Sequence, residues 1–310
     1  MTFRYQDVPG PRRDLVGYGR RAPRVRWPDD ARLALNFVIN YEEGSEKSHP
    51  AGDARNDGLY ELPFAISNKY RDLGGESLFE YGSRAGVWRL QRLFDSYGIP
   101  VTFYACAVAL ELNPEVCAWL KEAGHEPACH GWRWEQIWRL PEDEEREHIR
   151  LAVESIERTC GDRPRGWYSR WSGSVRTREL LVEEGGFVYD SDSYADDLPY
   201  FTEVNGRRHL VIPYNLTYND VHFVMPQGYA SLQAWVDFIC RAIDWYWEEG
   251  ETHPKMMSIG LHPRIVGHAA RASALKQVID YAGEKGDIWF ARRLDIAHWW
   301  LEHHAEFATD

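Results

Sequence analysis

The sequence predicts an α/β protein, a single-domain and deformed (β/α) barrel of about seven to eight parallel strands. Short apolar runs alternate with helix-patterned segments along most of the chain. Several of these runs are nearly continuous in apolar residues, the pattern of parallel strands covered by helices. No long linker divides the alternation into separate units. An open, doubly wound sheet shares the same pattern and stays the alternative fold.

Residues 1–30 are rich in Arg, Pro and Gly and read as an extended arm that packs on the body or on another subunit. Residues 31–310 read as the barrel. Strands are expected at 32–40 (RLALNFVIN), 101–106, 126–130, 165–169, 187–191, 209–214, 256–262 and 288–292. Between them, 83–98 carries Val87, Leu90, Leu93 and Phe94 at helical spacing, with Gly98 as its stop. Segment 113–124 opens on Asn-Pro and closes on Gly, a capped helix. Segment 141–161 begins with a run of acids that suits a helix N-terminus. Segments 231–250 and 272–286 complete the expected helices. The stretch 45–84 is too long for a simple connection, and such loops at the functional end of a barrel form lids or substrate walls.

Composition narrows the partners. The 310 residues carry a net charge of −12, which disfavours nucleic acid, because phosphate binding needs a basic surface. No apolar stretch reaches membrane-spanning length, and the N-terminal 21 residues hold no apolar signal core. A cytoplasmic protein with no membrane partner is expected. Five cysteines without regular spacing read as reduced thiols. Fourteen Trp and 17 Tyr are unusual; aromatics on this scale are mostly core and interface material, but they also line small-molecule pockets.

In parallel β/α proteins, functional groups gather at the C-terminal ends of strands. Here Glu42 and Glu43 follow the first expected strand, and His130 ends the third. Ser169 and Arg170 end the fourth, Asp190, Asp192, Asp196 and Asp197 follow the fifth, and His262 ends the seventh. Taken singly, each has an ordinary reading. A Glu pair is often a solvated turn, a strand-end His is often hydrogen-bonded structure, and DSDSYADD could be a loop of Asx turns. Their joint placement on one rim points to an active site.

Four residues after His130, where a second histidine would complete a metal site, stands Trp134. Its indole offers only an N–H donor and cannot ligate. Zinc-type sites need three or more N, S or O ligands. His125 begins its strand at the far end of the barrel, and His49 and His268 lie in loops. No catalytic metal or other cofactor is expected, with a divalent metal such as zinc as the alternative. Cys129 neighbours His130 but faces the opposite side of its strand, so no Cys–His pair forms there. No nucleophile elbow, P-loop or dinucleotide fingerprint appears.

These residues resemble the polysaccharide deacetylase (NodB-homology) superfamily. NYEEG stands where that superfamily usually has Asp-Asp-Gly, HGWRW where it has His-x-x-x-His, and RGWYSRWSG and GLH match its later motifs. The departures are similar to its metal-independent branch of allantoinases and cyclic-imide hydrolases. They are carried by NFVINYEEG, SLFEYGSRAGVWR, AGHEPACHGWRW, YDSDSYADDLPY, HLVIPY, SIGLHPRIVG and WFARRLDIAHWW, from about Asp14 to Trp300. The resemblance implies a deformed β/α barrel, hydrolysis of a cyclic amide and a homo-oligomer, often a tetramer. In allantoinase-type members the turn after GWY is expected to read close to Thr-Gly-Arg-Thr-Gly-Pro-Asn. Here it reads SRWSGSV, with Trp171 in the place of the Arg and Val175 in the place of the Asn. A related ureide, hydantoin or imide with an apolar substituent therefore competes with allantoin as the expected substrate.

The expected chemistry is opening of a small ring at a C(=O)–N bond. Glu42 acts as general base, its pKa raised beside Glu43. His262 protonates the departing nitrogen, and His130 orients water or steadies the oxyanion. Arg84 or Arg170 fixes a carbonyl or carboxylate. Trp132, Trp134, Trp167 and Trp171 form apolar walls, and Glu43, Ser169 and Asp196 complete the substrate contacts. Two other classes compete. One is a metal-dependent carbohydrate de-N-acetylase using Glu43, His130 and a third ligand. The other is a ureide or sugar binder without turnover.

Overall fold

The computed structural model describes residues 5–229 and 231–309. Its centre is β2 (Leu33–Tyr41), LALNFVINY, every residue of which is buried. Burying one such Leu, Ile or Phe side chain stabilises by about 1.5–3 kcal/mol relative to exposure, so this strand fixes the register of its neighbours. Along one side it pairs with β9 (Lys255–Leu261) from Leu33 to Ile39. On the other side its first half pairs with β10 (Ile288–Phe290) and its second half with β3 (Thr102–Ala105).

From β3 the sheet continues through β4 (Glu126–Cys129), β5 (Gly166–Trp167), β6 (Tyr189–Asp190) and β8 (Arg207–Val211), all parallel. The described residues form one nine-stranded sheet, in which only β7 (Tyr200–Val204) runs antiparallel, as a hairpin partner of β8. The sheet curls into a barrel that does not close by strand pairing. Among the described residues, β8 and β9 share no ladder, and a single parallel bridge, Asn219 to Gly260, spans the gap. The connection after β8 thus forms the last wall of a deformed barrel, the fold class expected.

Helices α2 (Val87–Tyr97), α4 (Pro114–Ala123), α5 (Glu142–Cys160), α7 (Leu232–Glu249) and α8 (Ala269–Lys285) follow the helical spacing of the sequence. Gly98 and Gly124 end their helices in the left-handed conformation that favours glycine. Four further helices lack a clear sequence signal: α1 (Leu73–Tyr81), α3 (Ala107–Leu112), α6 (Thr177–Glu184) and α9 (Arg293–His303). They are short, or, as in RLDIAHWWLEH of α9, their apolar residues do not form one stripe. The β7–β8 hairpin did have a signal. Asn205 and Gly206 both adopt positive φ, the two-residue turn that Asn-Gly favours.

The main core joins the barrel interior to α2, α4, α5, α7 and α8. A second cluster closes the opposite end, where Trp27 packs against Trp300 with ring centroids 6.2 Å apart. The Trp27 indole donates to the Lys255 carbonyl at 2.9 Å. The two-residue β1 (Pro23–Arg24) pairs there with β11 (Ala308–Thr309), while residues 5–22 lie largely exposed along the surface. No helix among the described residues is long and apolar enough to cross a membrane.

Candidate active site

Each strand that ends on the functional rim delivers its chemistry there. Glu42 follows β2 directly, His130 follows β4, and His262 follows β9. The glutamate and both histidines are buried. Glu42 Oε1 lies 3.3 Å from His130 Nε2 and 3.7 Å from His262 Nε2, and Glu42 Oε2 accepts from Arg264 Nη1 at 2.7 Å. Residues far apart in the chain therefore converge on one carboxylate.

The far nitrogen of each ring is fixed. His130 Nδ1 sits 2.6 Å from the Tyr168 carbonyl, and a carbonyl can only accept, so Nδ1 carries the hydrogen and Nε2 faces Glu42. His262 Nδ1 lies 2.6 Å from Asp220 Oδ1. Asp220 Oδ2 accepts from the backbone N–H groups of His262 and Val266. Burial alone disfavours the His262 imidazolium, but the Asp220 and Glu42 carboxylates outweigh it and raise the pKa above its ordinary value.

Glu42 differs from expectation. Burial pushes its pKa up, yet Arg264, His262 and His130 together hold it well below the usual carboxylate range. Glu43 takes the opposite course. Burial, reinforced by Glu42, raises its pKa to about 7 against the pull of Arg264. Its Oε2 accepts from the Glu42 backbone N–H, and its Oε1 has no hydrogen-bond partner among the described residues. Oε1 lies against Gly82, where any Cβ would collide with it. The two adjacent carboxylates thus face different surroundings, one beside a guanidinium and two imidazoles, the other buried against Gly82 at the end of α1.

Above Glu42 opens a cavity of about 530 Å³, within the range of small-molecule sites. Its other walls include Trp134, Arg170, Trp171, Tyr168, Tyr214, Asn40 and Asn219. Part of the long 45–84 stretch covers it, from Asn56 through Leu59, Glu61 and Phe64 to Asp72. Arg170 ties this cover to the rim. It donates to Asp57 at 3.2 Å and to the Trp134 carbonyl at 2.9 Å, with its guanidinium 3.4 Å from the Trp134 ring centroid and 4.9 Å from that of Trp171. Arg264 reaches the cover too, through Glu61 at 3.1 Å.

Of the residues singled out by sequence, Glu42, His130, Trp134, Arg170, Trp171 and His262 meet around this cavity. The others do not line it. Glu43 is turned under α1. Arg84 lies in the π-helical segment Gly82–Gly86 that joins α1 to α2, with 78% of its side chain exposed, and pairs with Glu80. Trp132 packs half-buried on the main core. Trp167 is fully buried against Phe187, and its indole donates to Ser169 Oγ at 2.9 Å. Ser169 in turn donates to Asp192 at 2.7 Å. The reason is strand alternation: Tyr168 and Arg170 face the cavity, so Trp167 and Ser169 face outwards. Asp196 lies beside Gly17 and accepts from the Leu198 backbone N–H. Arg264, Asp220, Tyr168, Tyr214, Asn40, Asn219 and Glu61 were not foreseen. Arg264 stood two residues beyond His262 in SIGLHPRIVG, where a cation next to a strand-end histidine was a usable signal.

Among the described residues, no group of three or more His, Cys, Asp or Glu side chains is spaced to hold a divalent metal. One oxygen of Glu42 is already committed to the Arg264 guanidinium, whose charge opposes a second cation at the same carboxylate.

Comparison with known proteins agrees with this architecture. Residues 77–184 match the family model described as "Polysaccharide deacetylase". A Schizosaccharomyces pombe protein whose name places it with the polysaccharide deacetylases is 34% identical over 94% of this chain and 98% of its own. The crystal structure of a PuuE allantoinase superposes with a TM-score of 0.91 at 43% identity, covering 96% of this chain and 99% of that one. A Pseudomonas aeruginosa PAO1 structure described as a probable polysaccharide deacetylase gives a TM-score of 0.91 at 45% identity, over 94% of this chain and 98% of that one. The chain belongs to the polysaccharide deacetylase family, as a hydrolase-type α/β barrel.

Proposed function

We propose that the protein is a hydrolase that opens a small cyclic amide, such as a ureide, hydantoin or imide, by side-chain acid–base catalysis without a metal. The observation that carries this reading is the Glu42 carboxylate, held ionised between one guanidinium and two imidazoles at the floor of a covered cavity.

In this reading Glu42 takes a proton from water as the water oxygen bonds to the carbonyl carbon. His262, protonated because of Asp220, then gives its Nε2 proton to the ring nitrogen as the C–N bond breaks. The acyl carbon leaves as a carboxylic acid, whose proton passes to solvent. Glu42 returns its proton to His262 across their 3.7 Å separation, and both groups are restored. A carboxylate so strongly stabilised is a weak base. The step therefore depends on strong stabilisation of the oxyanion. The Trp134 and Trp171 rings exclude bulk water from that charge.

The PuuE allantoinase, 43% identical over nearly all of both chains, supports a cyclic-amide substrate, as does a cavity covered by residues 56–72. The family description favours a second reading, removal of an acetyl group from an amino sugar. Rates on allantoin, hydantoin, succinimide and N-acetylglucosamine oligomers distinguish them. Ring opening with inert oligomers is the expected result, and turnover of the oligomers alone would reject the cyclic-amide reading. A cytoplasmic setting and a homo-oligomeric state belong to the same proposal.

A further inference from the structure

Tyr214 lies in the connection that closes the barrel between β8 and β9, and it lines the cavity above Glu42. Its hydroxyl oxygen sits between two amides. Asn40 Nδ2 approaches it at 3.3 Å and Asn219 Nδ2 at 3.2 Å. Neither amide is free to turn round. Asn40 Nδ2 also donates to the Leu261 carbonyl at 3.3 Å, and Asn219 Oδ1 accepts from the Val221 backbone N–H at 2.8 Å. Both amides therefore present N–H to the phenol, whose oxygen accepts twice.

A phenol has one hydrogen and about two acceptor positions. With both acceptor positions filled, the Tyr214 hydrogen has no protein acceptor among these contacts and is left for the cavity. The site is built for this arrangement. A Cβ on Gly260 would collide with the Tyr214 hydroxyl, so glycine at that position makes room for it. Arg293, wholly buried, has its guanidinium 5.8 Å from the Tyr214 ring centroid. Arg293 donates to the carbonyls of Ile212 and Pro213 and so fixes the backbone that presents the phenol.

We propose that the Tyr214 hydroxyl is the oxyanion donor of this site, because Asn40 and Asn219 occupy its oxygen and direct its hydrogen towards the carbonyl oxygen of a bound cyclic amide. The assignment rests on the hydrolase reading above. It supplies the stabilisation that a weakly basic Glu42 requires. The hydrogen bond shortens and strengthens as the carbonyl oxygen gains charge, so its effect falls on the chemical step and not on binding.

The test compares the wild type, Tyr214→Phe, and proteins carrying 3-fluorotyrosine or 3,5-difluorotyrosine at position 214, on allantoin, hydantoin, succinimide and an N-acetylglucosamine oligomer. Tyr214→Phe should lower kcat about 10²–10³-fold, the cost of losing one oxyanion donor, with KM within a few-fold. The fluorotyrosines keep the ring and both accepted bonds, and kcat should rise with phenol acidity. A Tyr214→Phe kcat close to wild type would overturn the assignment. So would a flat fluorotyrosine series, which is what a purely structural tyrosine gives. Turnover confined to the N-acetylglucosamine oligomer would reject the cyclic-amide reading, while the same variants still read the donor, because an acetyl carbonyl forms the same oxyanion. No turnover of any of the four substrates would reject both.

Discussion

Glu42 and Glu43 are chemically alike and adjacent, yet their surroundings give them opposite properties. Glu42 is kept ionised by Arg264 and two imidazoles, and Glu43 is pushed to about 7 by burial next to Glu42. Glu42→Gln removes the base and should lower kcat at least about 10²-fold. Glu43→Gln should leave kcat within a few-fold, since Glu43 does not line the cavity. Its effect is on stability. A carboxyl whose folded pKa is raised from 4.5 to about 7 stabilises the fold below 4.5, and that stability is lost as pH rises through 7. The Gln variant escapes the loss. Denaturant titrations should show its advantage over wild type growing by about 2–3 kcal/mol between pH 5 and pH 8. The sequence shows the pair but not the division of labour, which depends on Arg264 arriving from more than 200 residues away. It also marks the strand carrying Trp167 to Arg170 without its facing. A shift of one residue there exchanges cavity wall for outer core, and only the fold decides which set points inwards.

At the scale of elements, strand ends deliver the reacting groups and loops orient them. The connection after β8 contributes Asp220, which grips both the ring and the backbone of His262. His262 must be protonated to act, and its pKa is raised by Asp220 and Glu42 against the opposing effect of burial. Activity should therefore fall on the alkaline side, above the ordinary histidine range. Glu42 stays ionised to low pH and should contribute no acid limb in the usual carboxylate range. Asp220→Asn should move the alkaline limb to lower pH and reduce kcat at pH 8 by about tenfold or more, read from the pH–rate profile. The cover is a separate element, joined to the rim by the Arg170–Asp57 and Arg264–Glu61 pairs. Asp57→Ala should raise KM about tenfold with a smaller change in kcat, because it loosens the wall without touching the reacting groups. Sequence periodicity revealed the long helices and the buried strands. It did not reveal α1, α3, α6 or α9, whose short or unstriped patterns acquire meaning only when packed. The Asn-Gly pair at 205–206 marks a hairpin that was not among the expected elements, because apolar alternation alone does not show it.

For the whole molecule, one barrel serves two ends. The rim end holds the charged cavity, and the opposite end holds the Trp27–Trp300 cluster and a buried histidine. His125 packs between Trp119 and Phe103, and burial lowers its pKa to about 4. A depressed histidine stabilises the fold above the unfolded value of 6.5, and this stability is lost as pH falls towards 4. Wild-type protein should lose about 2–3 kcal/mol more than His125→Phe between pH 7.5 and pH 4.5, measured by denaturant unfolding. The overall architecture was legible because parallel strands write long apolar runs. The open seam between β8 and β9 was not, because a single bridge at Asn219 leaves no pattern in the chain. The central claim is that side chains alone activate water at Glu42. It is tested most directly by the initial rate of cyclic-amide opening after exhaustive chelation, on protein shown by elemental analysis to be free of zinc and other divalent metals. The account predicts an undiminished rate that added zinc does not increase. Loss of activity on chelation, restored by stoichiometric metal, would contradict it.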